Sequence, residues 1–345
     1  MEMMKAAVLL GETHLEIREV PIPRPKQGEI LVKVKAATTC GTDVKTYLRG
    51  HPKFPPPFIF GHEFGGDVVQ LGAAVDTVQI GTRVTANVFA ECGSCFYCRK
   101  GQGNLCEFLE YNFGSFAEYQ IIPASIVRKN LFEIPAHISY AQAAIVEPLV
   151  CVVHAQKIVG VKEGETVALI GAGGPISLLH LQMIKRAGAG RVIAIGHSDT
   201  RLATAQKLGA DVIVNARRED AAAVIEAQTD GRGADVTIEC AGTLDAWQNA
   251  VQFVRRGGRV LWFGGLPAGT RVPLDAARVH YGEIALLNVH GGTSEDAQEA
   301  FDLIVSGEVD TQSLLSTKMP LDNVAEALQL MINGAAIKVE IQPEQ

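Results

Sequence analysis

Apolar positions follow two different rhythms along this chain. Over residues 1 to about 150 they form short, partly alternating runs bounded by Gly and Pro: LEIREVPIP, EILVKVKAAT and GDVVQLG. Alternation of period two predicts strands with one buried face, so this region reads as mostly β. KFPPPFIFGHEF carries too many prolines for a regular element and is expected to be a loop. After about residue 150 the runs lengthen. TVALIG reads as an apolar strand, followed by a Gly-rich turn and the helical run LLHLQMIKRAG. The strand RVIAIG and the helical run RLATAQKLGA come next, and ADVTIECAG, RVLWFGG and ALLNVHG are further strands. Strands alternating with helices, and apolar nearly throughout, predict a parallel sheet covered on both faces. The tail adds two helices, EDAQEAFDLIVSG and NVAEALQLMING, and a short strand, AIKVEI.

Composition narrows the class. With 345 residues, close to half of them apolar, two α/β domains are expected. The formal charge of -7 and the lack of a Lys/Arg run argue against nucleic acid. The longest uncharged run, TVALIGAGGPISLLHLQMI, is broken near its middle by glycines and a proline, so no membrane span is expected. Seven cysteines, an odd number, with no recognisable signal pattern, point to a reducing, cytoplasmic setting.

Four of those cysteines, Cys92, Cys95, Cys98 and Cys106, lie within ECGSCFYCRKGQGNLC. Four thiolates in one compact lobe suit a closed tetrahedral zinc site, with unliganded thiols, disulfides or an iron–sulfur cluster as alternatives. A second set is dispersed: Cys40 in ATTCGTD, His62 and Glu63 in FGHEFGG, and Glu147 in IVEPL. Each alone is ordinary. Together they form a mixed S/N/O donor set that can leave one metal position open.

The turn GAGGPIS between strand and helix supplies Gly171, Gly173, Gly174, Pro175 and Ile176 to a candidate dinucleotide site. It departs from GxGxxG, because Ile176 stands at the third glycine and Ser177 takes the last small position. An acid at the end of the next strand normally binds the ribose 2′-hydroxyl of NAD; here that position is Gly196. His197, Ser198 and Arg201 could instead bind a 2′-phosphate, so NADP is expected over NAD, with Asp199 as the counter-argument.

At this point the chain resembles the zinc-dependent medium-chain alcohol dehydrogenases, from KAAVL near the start to IKVEI at the end. CGTD, GHEFGG, the four-cysteine stretch, EPL and the Rossmann turn occur in family order. The resemblance implies a GroES-like mostly-β catalytic domain (1–150 and 290–345, with a structural zinc lobe at 91–107) and a doubly wound Rossmann cofactor domain (151–289). It implies two zinc ions per chain: a catalytic one at Cys40, His62, Glu63 and Glu147, and a structural one in the lobe. Whether Glu63 or Glu147 ligates directly is left open. Gly264 and Val289 are implied to line the cofactor, and Thr42 to relay the substrate proton. Relatives often carry His five residues after the first ligand, where this chain has Lys45, and threonine dehydrogenases carry His where it has Phe89.

The implied activity is hydride transfer between a small alcohol or ketone and NAD(P). A polyol, sugar alcohol or cyclitol is preferred to threonine. A lyase or isomerase working by internal redox, and a non-catalytic zinc protein, are the competing classes. A homo-oligomer, tetramer or dimer, is implied as well.

Overall fold

The computed structural model describes residues 2–51 and 53–344. They divide into two units, Met1–Val150 with Gly292–Gln345, and Cys151–Gly291. In the first, ten strands precede residue 150: β1 (Met3–Gly11), β2 (His14–Pro21), β3 (Ile30–Thr38), β4 (Phe58–Ile59), β5 (Phe64–Leu71), β6 (Arg83–Ala86), β7 (Phe89–Ala90), β8 (Glu110–Tyr111), β9 (Tyr119–Ile122) and β10 (Leu131–Glu133). The second contains β11 (Thr166–Ile170), β12 (Arg191–Gly196), β13 (Val212–Asn215), β14 (Ala234–Glu239), β15 (Val254–Trp262) and β16 (Ala285–Asn288). The tail returns two more to the first unit, β17 (Leu315–Pro320) and β18 (Lys338–Gln342).

In the first unit a sheet runs β10-β6-β5-β3-β18-β17, with β9 also paired to β3. The last strand, β18, lies antiparallel to β3, with Glu340 opposite Thr38 and Ile341 opposite Ala37. β2-β1-β4 form a second sheet. Alternate residues of β3 and β5, including Val32, Val34, Phe64 and Val68, enter one apolar core with Phe60, Phe116, Leu328 and Ile341. The proline-rich segment is not wholly a loop. Phe58 and Ile59 pair with Leu9 and Val8 of β1, and Phe64 already begins β5. The prolines end at Pro57, so backbone N–H groups are again available to a ladder from Phe58 onward.

In the second unit the six strands are all parallel, in the order β13-β12-β11-β14-β15-β16. This is the doubly wound order whose direction reverses between β11 and β14. The strand β13, VIVN, had not been singled out in the sequence. At four residues its apolar run is too short for a period to register. A crossover helix, Pro175–Arg186, follows β11 with Gly174 as its N-cap and Pro at its first position, where a missing N–H costs nothing.

Candidate functional site: two metal-ligand clusters and a dinucleotide turn

Four donors meet in the first unit: Cys40, His62, Glu63 and Glu147. One ligand atom from each lies within 4.8 Å of all the others, and all four residues are buried. Local chemistry sets each one. Cys40 caps the helix Gly41–Arg49, its own N–H donating to Asp43 Oδ2 at 2.8 Å while its Sγ accepts from Thr42 N at 3.4 Å. The other carboxylate oxygen of Asp43 lies 3.0 Å from His62 Nδ1. That contact turns His62 Nε2 toward Glu147, whose Oε2 is 3.9 Å away. Asp43 therefore orders the start of the helix and also orients the imidazole, as carboxylates behind metal-binding histidines commonly do. Glu147 sits in the first turn of the helix Val146–Val159.

Glu63 is held differently. Both of its oxygens are engaged by Lys338 Nζ, at 2.9 and 2.6 Å, and Thr38 Oγ1 donates to Oε2. The remaining Lys338 bond goes to Thr39 O at 2.7 Å. Lys338 was missed in the sequence reading. The signal was one Lys inside the otherwise apolar AIKVEI.

Burial pushes the Cys40 thiol up, and the Glu63 charge adds to this. Burial also raises Glu147 to about 7, with Glu63 pushing the same way. For His62, burial opposes protonation but the Asp43 charge outweighs it, so its pKa stands well above the ordinary value. Buried carboxylates and a thiolate crowded together are costly unless a cation compensates them. This set of one sulfur, one imidazole and two carboxylates fits a borderline ion such as zinc.

Thr42 is exposed next to Cys40, and Lys45 lies one helical turn further on. Phe89 is buried in β7, its ring 6.2 Å from that of Tyr111.

In the lobe, sulfur–sulfur separations are 3.5 Å for Cys95–Cys98, 3.8 Å for Cys95–Cys106 and 3.9 Å for Cys92–Cys98. All are far beyond a disulfide bond. They match the edge of about 3.8 Å of a tetrahedron with metal–sulfur bonds of about 2.3 Å. Backbone N–H groups of Ser94 and Cys95 point at Cys92 Sγ, and those of Cys92 and Phe108 at Cys106 Sγ. These donors hold Cys92 down to about 6, while burial lifts Cys98 to about 12. Such a group suits a closed four-thiolate ion.

In the second unit the dinucleotide candidates collect at the C-terminal ends of the strands. Gly171 follows β11, and Gly173 (φ +91°) has no room for a side chain, because a Cβ would stand 2.5 Å from Arg201 Cβ. Gly174, Pro175 and Ile176 start the helix, and the buried Ser177 donates to Gly174 O at 2.8 Å. Gly196 ends β12, and a Cβ there would meet Ala172 O at 2.5 Å. An acid at that position would collide with the turn itself. His197 is exposed, while Ser198 and Arg201 are half-buried at the start of the next helix. Asp199 is taken up by Asn215 Nδ2 at 2.7 Å and Arg218 Nη2 at 2.6 Å, which keep it ionised. Arg218, unremarked in the sequence, thus adds a second guanidinium to this corner. Gly264 follows β15, its carbonyl accepting from Trp247 Nε1 at 2.7 Å, and that indole stacks on Trp262. Val289 follows β16, half-buried.

Among the described residues no helix is long and apolar enough to cross a membrane. The sequence matches the alcohol dehydrogenase GroES-like domain family over residues 26–135 and the zinc-binding dehydrogenase family over residues 175–306. It is 32% identical to a sorbitol dehydrogenase of Bacillus subtilis (strain 168), covering 99% of this chain and 98% of that protein. A D-arabitol-phosphate dehydrogenase of Enterococcus avium is 34% identical over 97% of this chain and 96% of its own length. An L-threonine 3-dehydrogenase of Caldanaerobacter subterraneus subsp. tengcongensis is 35% identical, with 95% of each chain covered. Among solved structures, a zinc-binding dehydrogenase of Sinorhizobium meliloti 1021 bound to NADP superposes with a TM-score of 0.89, at 33% identity, over 99% of this chain and 100% of that one.

Proposed function

This chain belongs to the zinc-dependent medium-chain alcohol dehydrogenase family, and we propose that it oxidises a secondary alcohol of the polyol class with NADP. It is an oxidoreductase acting on CH–OH groups. The observation that carries the reading is the convergence of Cys40, His62, Glu63 and Glu147, all buried, with donor atoms within 4.8 Å of one another. We assign the catalytic zinc to this set and a second, structural zinc to Cys92, Cys95, Cys98 and Cys106. A zinc ion held by these residues would supply Lewis acidity, to acidify an alcohol oxygen in one direction and polarise a carbonyl in the other. Asp43 orients His62, and Lys338 with Thr38 fixes Glu63. Glu147, which lacks such clamps, is the better placed of the two carboxylates to ligate directly. The Thr42 hydroxyl takes the substrate proton toward solvent, since Thr42 is exposed two residues beyond the Cys40 cap.

NADP is favoured because Gly196 excludes a side chain that would repel a 2′-phosphate, and because Arg218 occupies Asp199, leaving His197, Ser198 and Arg201 around the corner. Gly171, Gly173, Gly174, Pro175 and Ile176 let the pyrophosphate approach the backbone, and Gly264 and Val289 line the nicotinamide end. The relatives' names support both a polyol and a threonine substrate. Phe89, where threonine dehydrogenases carry His, favours the polyol. The resemblance also carries the expectations of a homo-oligomer and a cytoplasmic setting.

The test is nicotinamide absorbance with NADP and NAD in parallel, against polyols, simple secondary alcohols and threonine, on protein with its metal content measured. Reduction of NADP by a polyol is expected. Faster reduction of NAD would discard the cofactor assignment, and turnover of threonine alone would discard the polyol.

A further inference from the structure

The turns after β11, β14 and β15 touch one another where the parallel sheet reverses direction. A Cβ on Gly171, after β11, would stand 2.9 Å from Ala241 N, after β14. A Cβ on Gly264, after β15, would stand 2.4 Å from Gly242 N and 2.8 Å from Glu239 Oε2. Neither glycine has room for a side chain, so backbone lies against backbone. Polar bonds fix the last two turns to each other. Gly242 N donates to Glu239 Oε1 at 2.6 Å, while Phe263 N and Gly264 N donate to Glu239 O at 3.0 and 3.1 Å.

The carbonyl of Gly264 is held by a different element. Trp247 lies near the start of the helix Leu244–Phe253, and its Nε1 donates to Gly264 O at 2.7 Å. The indole has little freedom of its own. It stacks on Trp262 at 4.5 Å with 8° between the ring planes, and Trp262 Nε1 donates back to Trp247 O at 3.0 Å. An indole N–H can only donate, so this bond serves one acceptor and no other purpose. It sets the angle of the peptide that follows Gly264, which is buried at the end of its strand.

We propose that Trp247 is a positioning residue for the nicotinamide half of the cofactor, acting through the Gly264 peptide. This rests on the reading of the turn after β11 as the pyrophosphate site. Ligands of open α/β sheets lie outside the carboxyl ends of the strands, at the reversal of strand order. The strands run β12-β11-β14-β15 across that reversal. With the adenosine ribose at the end of β12 and the pyrophosphate after β11, the other half of a dinucleotide extends over β14 and β15. Trp247 holds the backbone there without itself meeting the ligand, since its N–H is spent on Gly264 and its ring on Trp262.

The experiment measures Kd by calorimetry on the intact metal-loaded enzyme for NADP against 2′-phospho-ADP-ribose, and for NAD against ADP-ribose. The fragment in each pair lacks only the nicotinamide. Wild type, Trp247→Phe and Trp262→Phe are compared. Trp247→Phe keeps a ring to stack on Trp262 and removes the N–H. One neutral hydrogen bond is worth about 2- to 10-fold, so Trp247→Phe should weaken each complete dinucleotide about fivefold and leave each fragment unchanged. Its kcat should fall while KM for the alcohol holds, because hydride transfer depends on the angle of the ring. Trp262→Phe, which keeps the Trp247 N–H, should lower the melting temperature and preserve the ratio of the two Kd values. Equal weakening of dinucleotide and fragment in Trp247→Phe, no weakening of either, or the same shift of ratio in Trp262→Phe overturns the positioning role and leaves the dehydrogenase reading intact. Failure of wild type to bind either dinucleotide overturns the cofactor reading on which the role rests.

Discussion

Lys338 Nζ stands 2.6 Å from Glu63 Oε2 with neither side chain reaching solvent. One residue belongs to the last strand and the other to the turn entering β5, so 275 positions of chain separate them. The pair does two things. It gives a fully buried carboxylate a cationic partner, and it commits both Glu63 oxygens to a fixed orientation beside Cys40 and His62. Breaking a buried pair from one side leaves an uncompensated charge and costs about 3–5 kcal/mol. Lys338→Met should therefore be strongly destabilised in denaturant unfolding. Lys338→Met combined with Glu63→Gln should recover a large part of the loss. A double variant no more stable than the single one would mean that Lys338 acts through packing alone.

His180 predicts a pH dependence. Its ring is fully buried in the helix Pro175–Arg186, with Gln156 Nε2 2.7 Å from Nδ1 and the Phe263 ring edge-on at 5.0 Å. Burial depresses its pKa to about 3. The unfolded chain takes up a proton near 6.5 that the folded chain refuses, so stability is complete above that pH and falls as pH drops toward 3. The slope is about 1.4 kcal/mol per unit, which gives a loss of about 2 kcal/mol between pH 8 and pH 5 from this group. His180→Asn, which keeps an acceptor for Gln156, should be less stable overall but show a shallower decline over the same interval. An unchanged slope would remove His180 from the account.

The four-cysteine lobe should carry its own metal. Wild type should hold two ions per chain by elemental analysis, and Cys98→Ser should retain one and unfold at a lower temperature. Most of the dehydrogenase rate should survive at low temperature, because this lobe shares no ligand with the Cys40 centre. A variant that keeps two ions would show that the lobe is not a metal site.

Arg201 tests the cofactor corner. Arg201 is half-buried, and the absence of a side chain at Gly173 makes space for its Cβ. Arg201→Ala should raise KM for NADP about tenfold, the value of one charge-assisted contact, and leave KM for NAD nearly unchanged. Equal effects on both cofactors would place the residue in packing rather than in phosphate recognition.

Much of this protein was determined by short stretches of sequence. The strands β2, β3 and β5, five of the six parallel strands, the strand–turn–helix at GAGGPIS and the cysteine spacing of the lobe all depend on neighbours a few residues apart. Periodicity, turn chemistry and ligand spacing report such local constraints directly. The other features are non-local, and only the tertiary structure decided them. Phe58–Ile59 became a strand because β1 offered it a free edge. Gly196 is a steric necessity against Ala172 O, not merely a missing acid. Asp199 was drawn away by Arg218, and Asp43 was aimed at His62 once two separate loops met. Lys338 is the plainest case. In AIKVEI it looks like one polar residue of a tail strand. Insertion of β18 between β3 and β17 carries it into the interior beside Glu63. Electrostatic partnership depends on distance in space, which long-range strand pairing sets and local pattern does not.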